Sequence, residues 1–440
     1  MAASTSELQA HEHSGKGEGE TVGIALLGFG TVGAEVFRLL GENADAFAHR
    51  IGGPAEIRGI AIQNKNKLRP GVPQELLTDD AKALVARDDI DLVVEVIGGI
   101  DFPRELVLAA LNSGKSVVTA NKALVAAHAD ELAEAADRAG VDLYFEAAVA
   151  AAIPVVGMLR RSLAGDQVER ISGIVNGTTN FILDAMESTG ASYDEALAEA
   201  TRLGYAEADP TADVEGHDAA SKAAIMASLG FHTRVKFEDV HCEGITKVTA
   251  ADIAAANDAG YSIKLLAICE RLQREDGSEA VNARVHPTLA SVSESYNAIF
   301  VEAEAAGSLM FYGNGAGGNP TASAVLGDVV GAARNIVHGG RAPGENTYAN
   351  LPIADFGEVQ TRYHIDMEVQ DRTGVLAAIS AVFADNGVSL RTVRQEDGAD
   401  TARLIVVTHA AKEATLETIV AALGELEEVK AVHSVIRLGS

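Results

Sequence analysis

Short apolar runs of strand length alternate with amphipathic stretches of helix length in the first third of the chain. The run 22–27 is followed by a helix-period segment, and similar runs return in EIRGIAIQNK, IDLVVEVIGG and KSVVTANK. This alternation is typical of a parallel sheet with helices on both faces. The pattern therefore predicts an α/β domain over 21–154. The preceding tail, 1–20, is polar and is predicted to be disordered.

The middle of the chain, 155–320, mixes both periods and predicts a sheet with helices packed on it. Strands are expected at VERISGIVN, NARVHPTL, NAIFVEAEAAG and SLMFYG, and helices at 178–188 and 193–203. LLAICERL has a helical core pattern, and HDAASKAAIMASLG is predicted to be a helix closed by Gly230. VDLYFEAAVAAAIPVV predicts a strand running into small residues, and 321–337 predicts a long helix that returns to the first domain.

A third pattern follows the segment 338–359, which contains Gly and Pro and is predicted to be a linker. From 360 to 440 the order strand, helix, strand, strand, helix, strand predicts a ferredoxin-like βαββαβ fold.

Composition narrows the class of partner. In 440 residues, 63 acidic side chains face 35 basic ones, a net charge of −28. This balance argues against nucleic acid or an anionic membrane as a partner. Apolar runs stay below the ~18 residues of a membrane span, and the N-terminus lacks a signal-peptide core. With two cysteines, disulfides are not the framework, and a cytoplasmic protein is expected.

The first strand runs into a glycine-rich turn. Gly28, Gly30 and Gly33 have the spacing G-x-G-x-x-G, with Phe29, Thr31 and Val32 between them. Such a turn between strand and helix predicts a dinucleotide site, because glycines let the backbone approach a pyrophosphate. The second strand ends without an acid and leads to Lys65, which favours NADP over NAD unless the basic residues only solvate a loop.

Ligands in this fold lie beyond the carboxyl ends of the strands. That rule places Thr119, Asn121 and Lys122 in the crevice, although Lys122 is also compatible with an ordinary surface lysine at a helix start. Gly98 ends its strand as backbone near a coenzyme would. Glu146 interrupts an apolar run and is therefore predicted to be buried and partnered.

The stretch GYAEADPTADVEGHDAASK, 204–222, concentrates acids before a helix. Asp218 and Lys222 are spaced i, i+4 on the face that carries Ile225 and Leu229, so this face is predicted to be buried. A buried lysine beside an aspartate is a candidate proton carrier. The alternative is an ordinary ion pair on a solvated helix.

Five ordered motifs resemble one family. GFGTVG, VTANK, NGTTNFIL, LGYAEADPTADVEGHDAASK and YGNGAGGNPTASAVLGDVV are similar to segments of homoserine dehydrogenases of the long bacterial form. The resemblance implies an α/β Rossmann domain, an α+β catalytic and dimerisation domain and a C-terminal ACT domain. It also implies reversible reduction of L-aspartate 4-semialdehyde to L-homoserine with NAD(P)H, in threonine, methionine and isoleucine biosynthesis.

The resemblance also implies roles for single residues. Lys222 is similar to the family's proton donor and acceptor, and Lys122 to a second active-site lysine. The implied substrate-binding residues are Gly204, Glu207, Asp213 and Asp218. Gly315 and Gly317 resemble glycines at the coenzyme. The implied monovalent cation site, usually for sodium, comprises Glu146 and the carbonyls of Val149, Ala151 and Ile153, although the family is often richer in glycine there.

DRTGVLAAISAVFADNGVSL resembles an ACT domain, a module that binds amino acids, often across a dimer. Asp371, Gly374 and Asn386 match the loop and helix end where such a ligand lies. The implied effector is L-threonine, acting by feedback inhibition on a homodimer or homotetramer. The alternative is an ACT domain that only assists assembly.

Three other functions agree less well with the sequence. An acylating semialdehyde dehydrogenase needs a thiolate at a strand end, and neither Cys242 nor Cys269 is predicted there. A sensing protein without turnover would not be expected to keep the set Lys122, Glu207, Asp218 and Lys222. A fusion with aspartate kinase is not expected, because the chain begins close to the first Rossmann strand.

Overall fold

The computed structural model describes residues 15–438, except 66, 68, 291–295, 345–346 and 397–400. The chain divides into two compact units. The first unit comprises Met1–Ser162 and Ala316–Asn346, and the second unit comprises Leu163–Gly315 and Thr347–Ser440.

Strands and helices are numbered separately in chain order over the described residues. The strands are β1 (Val22–Leu27), β2 (Ala55–Ala61), β3 (Leu77–Thr78), β4 (Leu92–Glu95), β5 (Ser116–Thr119), β6 (Leu143–Tyr144), β7 (Val168–Ile174), β8 (His241–Cys242), β9 (Ser262–Gln273), β10 (Glu279–Ala290), β11 (Asn297–Ala303), β12 (Gly307–Gly313), β13 (Gln360–Thr361), β14 (Tyr363–Gln370), β15 (Leu390–Glu396), β16 (Thr401–Thr408), β17 (Ala411–Lys412) and β18 (Val429–Leu438). The α-helices are α1 (Thr31–Glu42), α2 (Ala44–Ile51), α3 (Ala81–Ala86), α4 (Asp101–Asn112), α5 (Lys122–Ala139), α6 (Val155–Gly157), α7 (Gly177–Thr189), α8 (Tyr193–Leu203), α9 (Thr211–Val214), α10 (His217–Phe231), α11 (Ala250–Asp258), α12 (Gly318–His338), α13 (Val375–Asp385) and α14 (Glu413–Gly424).

The first unit is built on a parallel sheet with the spatial order β3-β2-β1-β4-β5-β6. Every residue of β1, β4 and β5 is buried, which explains why the apolar residues of these strands are consecutive rather than alternating with polar ones. The strand order reverses between β1 and β4, and ligands of such sheets bind beyond the strand ends at that point. The predicted Rossmann fold is confirmed.

Helix α12 completes the core of the first unit. Its residues Val325, Val329 and Ala333 pack in the same cluster as β1. At the far end of α12, the amides of Lys16 and Gly17 donate to the carbonyls of residues 336 and 337, at 3.0 and 3.1 Å. Ordered backbone therefore begins before residue 21. Residues 1–14 of the predicted tail lie outside the described part.

The second unit contains one long sheet with the order β12-β11-β7-β9-β10-β18-β14-β16-β15, and β8 pairs with β10. The last four strands carry the C-terminal βαββαβ pattern, with α13 and α14 packed in its core. The predicted ferredoxin-like fold is confirmed. Its strand β18 also pairs in parallel with β10, so the sheet of the middle segment continues into the C-terminal domain.

Two local predictions are wrong, and one predicted strand is shorter than its sequence pattern suggests. LLAICERL lies in strand β9, which pairs along its whole length with β10, because a short buried apolar run fits a helix or a strand equally well. Helix α10 continues through Gly230 to Phe231, and an added Cβ at Gly230 would lie 2.8 Å from Ile171 Cδ1. This glycine therefore allows close packing and does not end the helix. After residue 141 the chain forms only the two-residue strand β6 before a turn at Glu146–Ala148.

Across the described ranges, the helices are all too short or too polar to cross a membrane.

Candidate active site

The glycine turn after β1 is shaped by its own backbone. Gly28 has φ 103°, and an added Cβ would lie 2.7 Å from the carbonyl oxygen of Val96. An added Cβ at Gly33 would lie 2.3 Å from the carbonyl oxygen of Gly28. Gly30, in contrast, has no described atom within 4 Å of its Cβ position. The outer two glycines therefore close the turn, and Gly30 leaves open space for a ligand.

Two helices begin side by side next to this turn. Thr31 is the first residue of α1, and an added Cβ at Gly318, the first residue of α12, would lie 2.9 Å from Thr31 Cγ2. The N-cap residues are Gly30 and Gly317, so neither helix has a capping side chain. Unsatisfied N–H groups and two positive helix ends suit a pyrophosphate. The two helix starts thus fit the predicted dinucleotide.

One basic residue borders the same turn, and a second lies in the loop after β2. The Arg69 guanidinium lies 5.3 Å from the centroid of the Phe29 ring, and its Nη1 donates to the Phe29 carbonyl at 3.4 Å. Lys65 pairs with Asp79 at 2.8 Å, and both side chains are 48% exposed. Because an exposed pair is worth little, Lys65 can exchange Asp79 for a ligand phosphate.

A buried carboxylate organises the ends of β4 and β5. Glu95 is fully buried; one oxygen accepts from the amides of Ile97 and Gly98, and the other from the Thr119 hydroxyl at 2.5 Å. Asn121 caps α5 and donates to the carbonyl of Gly99 at 2.7 Å. The Thr119 hydroxyl therefore makes a structural hydrogen bond to Glu95. Its neighbourhood shapes the bend at residues 98–99, where both φ values are positive.

Lys122 begins helix α5 and is exposed. Its backbone amide donates to the carbonyl of Ala120 at 3.1 Å. An exposed lysine at a helix start is compatible with both hypotheses for Lys122, a residue beside the coenzyme and an ordinary surface lysine.

The acidic stretch of the second unit folds around one amide. Asn176 Nδ2 donates to Asp213 Oδ1 at 2.7 Å and to Asp218 Oδ2 at 2.8 Å. Lys222 Nζ donates to the same Asp218 oxygen at 2.7 Å and to the Val175 carbonyl at 2.5 Å. Asp218 and Lys222 are only 5% and 7% exposed, so the alternative of a solvated surface pair is wrong. Two carboxylates and one ammonium leave this cluster with excess negative charge.

The loop after α8 lies next to that cluster. Gly204 ends α8 in the left-handed conformation, with φ 81°. Tyr205 stacks on Phe181 at 4.4 Å and its carbonyl accepts from the Thr178 hydroxyl at 2.9 Å, which fixes the loop to α7. Glu207 is exposed on the loop. Glycine at 204 is thus explained by the left-handed conformation that ends α8. The exposed Glu207 is available to a ligand.

Gly315 follows β12 in the second unit. An added Cβ there would lie 1.8 Å from Nδ2 of Asn297, a residue that is 2% exposed. Only glycine fits against this buried amide. Gly317, at the start of α12, has φ 112° and ψ 153°, a conformation open almost only to glycine.

The predicted cation site lies in the first unit. Glu146 accepts from the amides of Val156 and Gly157 at 2.9 and 2.6 Å, and burial raises its pKa. Its own amide donates to Asp328, whose pKa burial raises to about 7. Glu146 is half-buried and partnered, so the predicted partners are confirmed, whereas full burial is not.

The segment that would supply the carbonyl ligands has an unusual backbone. Ala150 and Ala151 have φ values of 55° and 47°, in the region that favours glycine. This left-handed turn carries the carbonyls of Val149 and Ala151, and Ile153 O accepts from Val155 N at 2.8 Å. Carboxylate and carbonyl oxygens are hard ligands, so the donor set fits a small cation such as sodium.

The predicted effector residues lie in the C-terminal domain but not together. Gly374 is the N-cap of α13 with φ 95°, and Asp371 is exposed in the preceding loop. Asn386 is at the other end of α13 and donates to the Val382 carbonyl at 2.8 Å. An 11-residue helix is about 16 Å long, so one amino acid cannot contact both ends within one chain. A shared ligand would need a second copy of the domain.

Three side chains of the site escaped sequence reasoning. Glu95 and Asp328 are acids within apolar segments, the signal that revealed Glu146, and could have been found in the same way. Asn176 stood in a recognised motif, but its bridging of two carboxylates depends on the approach of distant segments.

Family models match most of the chain. The model described as homoserine dehydrogenase matches residues 154–330, and the one described as homoserine dehydrogenase, NAD binding domain, matches residues 28–146. The ACT domain model matches residues 363–428.

Whole-chain comparisons agree with these models. A homoserine dehydrogenase of Corynebacterium glutamicum is 70% identical and covers 96% of this chain and 97% of its own. One from Mycobacterium tuberculosis is 57% identical, with coverages of 96% and 98%. The crystal structure of a homoserine dehydrogenase from Thiobacillus denitrificans has a TM-score of 0.87 at 38% identity, with coverages of 96% and 99%. A hyperthermophilic archaeal homoserine dehydrogenase in complex with NADPH has a TM-score of 0.61 at 28% identity, covering 71% of this chain and 98% of its own.

Proposed function

The chain belongs to the homoserine dehydrogenase family and is an oxidoreductase acting on a CH–OH group, and we propose that it uses NADP(H) in preference to NAD(H) and the buried cluster around Asp218 and Lys222 for catalysis. The observation that carries the catalytic part is the lysine held at 2.7 Å from a buried aspartate in an acidic site. The reaction is the interconversion of L-homoserine and L-aspartate 4-semialdehyde.

The bound nicotinamide coenzyme supplies or accepts the hydride. Lys222 gives a proton to the aldehyde oxygen during reduction and removes it during oxidation. An ammonium group has three N–H donors, and within the described residues two of them go to Asp218 and Val175. The third is directed to the substrate oxygen. Lys122 is the second active-site lysine of the proposal.

Substrate recognition rests on the negative charge of the site. The α-ammonium group and the hydroxyl of homoserine are donors that carboxylates accept. Glu207, Asp213 and Asp218 take this role, and Gly204 borders the substrate. Asn176 holds Asp213 and Asp218 at hydrogen-bond distance from one amide, so it fixes their spacing before the substrate arrives.

Coenzyme binding uses the turn 28–33 and the adjoining helix starts, together with Gly315 and Gly317. Glu95 and Thr119 shape the backbone bend at Gly98, where the nicotinamide half would approach. Lys65 and Arg69 would supply the positive charge that a ribose 2′-phosphate needs. Arg69 contacts the turn at the Phe29 carbonyl, Lys65 lies in the loop after β2, and a solved relative is described in complex with NADPH. A lower KM for NADH than for NADPH would contradict this preference.

A sodium ion held by Glu146 and the carbonyls of Val149, Ala151 and Ile153 completes the proposal for the first unit. The ion would neutralise part of the charge of the buried carboxylates and tie the left-handed turn to the start of α6. Dialysis against a large organic cation should then lower the thermal unfolding midpoint, and added NaCl should restore it more effectively than the same concentration of choline chloride.

The ACT domain gives this enzyme a place for an amino-acid effector, and we assign feedback inhibition to L-threonine, within threonine, methionine and isoleucine biosynthesis. The distance between Gly374 and Asn386 within one chain supports a homodimer or homotetramer, in which Asp371 and Gly374 of one chain face Asn386 of another. A cytoplasmic enzyme is consistent with its two free cysteines. Saturating threonine without effect on rate or on the substrate curve would refute the feedback assignment.

The deciding experiment follows NADPH oxidation by purified protein with L-aspartate 4-semialdehyde. Wild type should turn over, and Lys222→Ala should lose at least about 10² in kcat. As a matched control, Lys236→Ala removes a lysine from an exposed turn of the same unit and should retain full activity. Near-full activity of Lys222→Ala would remove this residue from the mechanism.

A further inference from the structure

A buried arginine of the C-terminal domain reaches into the catalytic part of the second unit. Arg437, on β18, donates to Glu413 at 2.6 Å within its own domain and to Glu243 at 2.7 Å outside it. Its guanidinium also lies 5.1 Å from the centroid of the Phe356 ring. The Arg437 side chain is 14% exposed and Glu413 is fully buried, so this arginine has a fixed position.

Glu243 belongs to a short segment that is held on both sides. His241 Nε2 lies 2.8 Å from Glu243, and the His241 ring stacks on Phe356 at 3.7 Å. The amide of Glu243 donates to the carbonyl of Val285 on β10 at 2.7 Å. The ion pair with Arg437 therefore fixes the backbone of 241–245 as well as one side chain.

The other side of this segment contacts the turn that precedes helix α10. The Ile245 amide donates to the Val214 carbonyl at 2.8 Å, and Cys242 Sγ donates to the Glu215 carbonyl at 3.3 Å. An added Cβ at Gly244 would lie 2.2 Å from the Val214 carbonyl oxygen. Backbone thus lies directly against backbone here. Residues 214–216 connect Asp213 with the helix that carries Asp218.

We propose that Arg437 is a positioning residue for the substrate site, acting through Glu243 and the segment 241–245 on the turn 214–216. The C-terminal domain would then set the spacing of Asp213 and Asp218, and with it the affinity for the amino-acid substrate. The inference rests on the proposed site assignment for these two aspartates. It adds that the regulatory domain contributes to substrate binding even without an effector.

The chain offers a matched control for the ion pair. Arg403, also in the C-terminal domain, donates to Asp258 at the end of α11 at 3.1 Å. The Asp258 side chain is 56% exposed, and its contact joins the same two parts of the unit without touching the turn 214–216. Asp258→Asn thus removes a charge between domains at a different place.

The experiment compares Glu243→Gln, Gly244→Ala and Asp258→Asn with wild type in the full-length enzyme. Glu243→Gln keeps the shape and weakens the ion pair, whereas Gly244→Ala displaces the turn 214–216 without changing any charge. Both should raise the KM for L-homoserine about five- to tenfold, with kcat and the coenzyme KM within about twofold, because substrate binding is lost before chemistry. Asp258→Asn should stay within about twofold of wild type in every constant.

Amide hydrogen exchange tests, independently of catalysis, whether the ion pair of Glu243 holds the segment 241–245 and the turn 214–216 in place. Peptides covering 213–217 and 241–245 should exchange about tenfold faster in Glu243→Gln, and not in Asp258→Asn. Unchanged exchange in Glu243→Gln would overturn the inference, as would an unchanged KM or an equal effect of Asp258→Asn. A fully active Asp218→Asn would instead refute the site assignment, and the exchange result would show which of the two had failed.

Discussion

Replacing Lys222 by methionine separates a catalytic lysine from a merely structural one. The substitution keeps the side-chain length and removes the cation from Asp218, which is 5% exposed. Breaking a buried ion pair by removing one of its members costs about 3–5 kcal/mol of unfolding free energy. Adding Asp218→Asn removes the second charge, and the double variant should regain about 2 kcal/mol relative to Lys222→Met.

Activity should not follow stability in this series. Loss of a positioned proton donor lowers kcat by at least about 10², equivalent to about 2.7 kcal/mol of barrier, and asparagine at 218 cannot supply that proton. Urea denaturation gives the unfolding free energies, and NADPH oxidation with saturating semialdehyde gives kcat. If the double variant regained both stability and turnover, the pair would be structural and the proposed mechanism wrong.

Other consequences of the structure can be measured in the same way. Lys264 is fully buried, its Nζ lies 3.8 Å from Asp184, and burial lowers its pKa. Lys264→Met should therefore raise the unfolding free energy by about 1–2 kcal/mol. A decrease would show that the protein needs this charge. Burial alone raises the pKa of Glu243, but the hydrogen bonds from its partners lower it to about 2. The stability difference between wild type and Glu243→Gln should therefore be present above about pH 4.5 and disappear as the pH falls to 2. Denaturation curves that give the same difference at every pH would contradict this. Gly28→Ala should lose about 2 kcal/mol of stability. Gly30→Ala should keep its stability and weaken coenzyme binding about tenfold in a titration. Equal stability losses in the two variants would refute the different roles of the two glycines.

The parts of the fold set by local sequence were predictable. The strand β1 and the turn 28–33 were identified because strand, glycines and helix lie within a short stretch. The strand β9 was not, since both of its faces are buried and no alternation distinguishes it from a helix. Pairing of β18 with β10 joins segments far apart in sequence, and no local pattern predicts it.

The site shows the same division. The spacing of Asp218 and Lys222 predicted a shared helix face, and the structure confirms that this face is buried. The contact of Asn176 with both aspartates required tertiary structure. The motif around α13 was recognised correctly, with Gly374 before the helix and Asn386 at its end, and the structure adds the helix length of about 16 Å that separates them.

Asn176 also bears on how long the enzyme stays chemically intact. It precedes Gly177, and asparagine before glycine is prone to deamidation because the unshielded backbone nitrogen can attack the side-chain carbonyl. Here Asn176 is 4% exposed, its Nδ2 is held by two carboxylates, and its Oδ1 caps α7 by accepting from the Thr179 amide at 2.9 Å. Deamidation would put a third negative charge between Asp213 and Asp218. The hydrogen bonds from Asn176 to Asp213 and Asp218 therefore also protect the folded enzyme against deamidation, and partial unfolding would remove that protection.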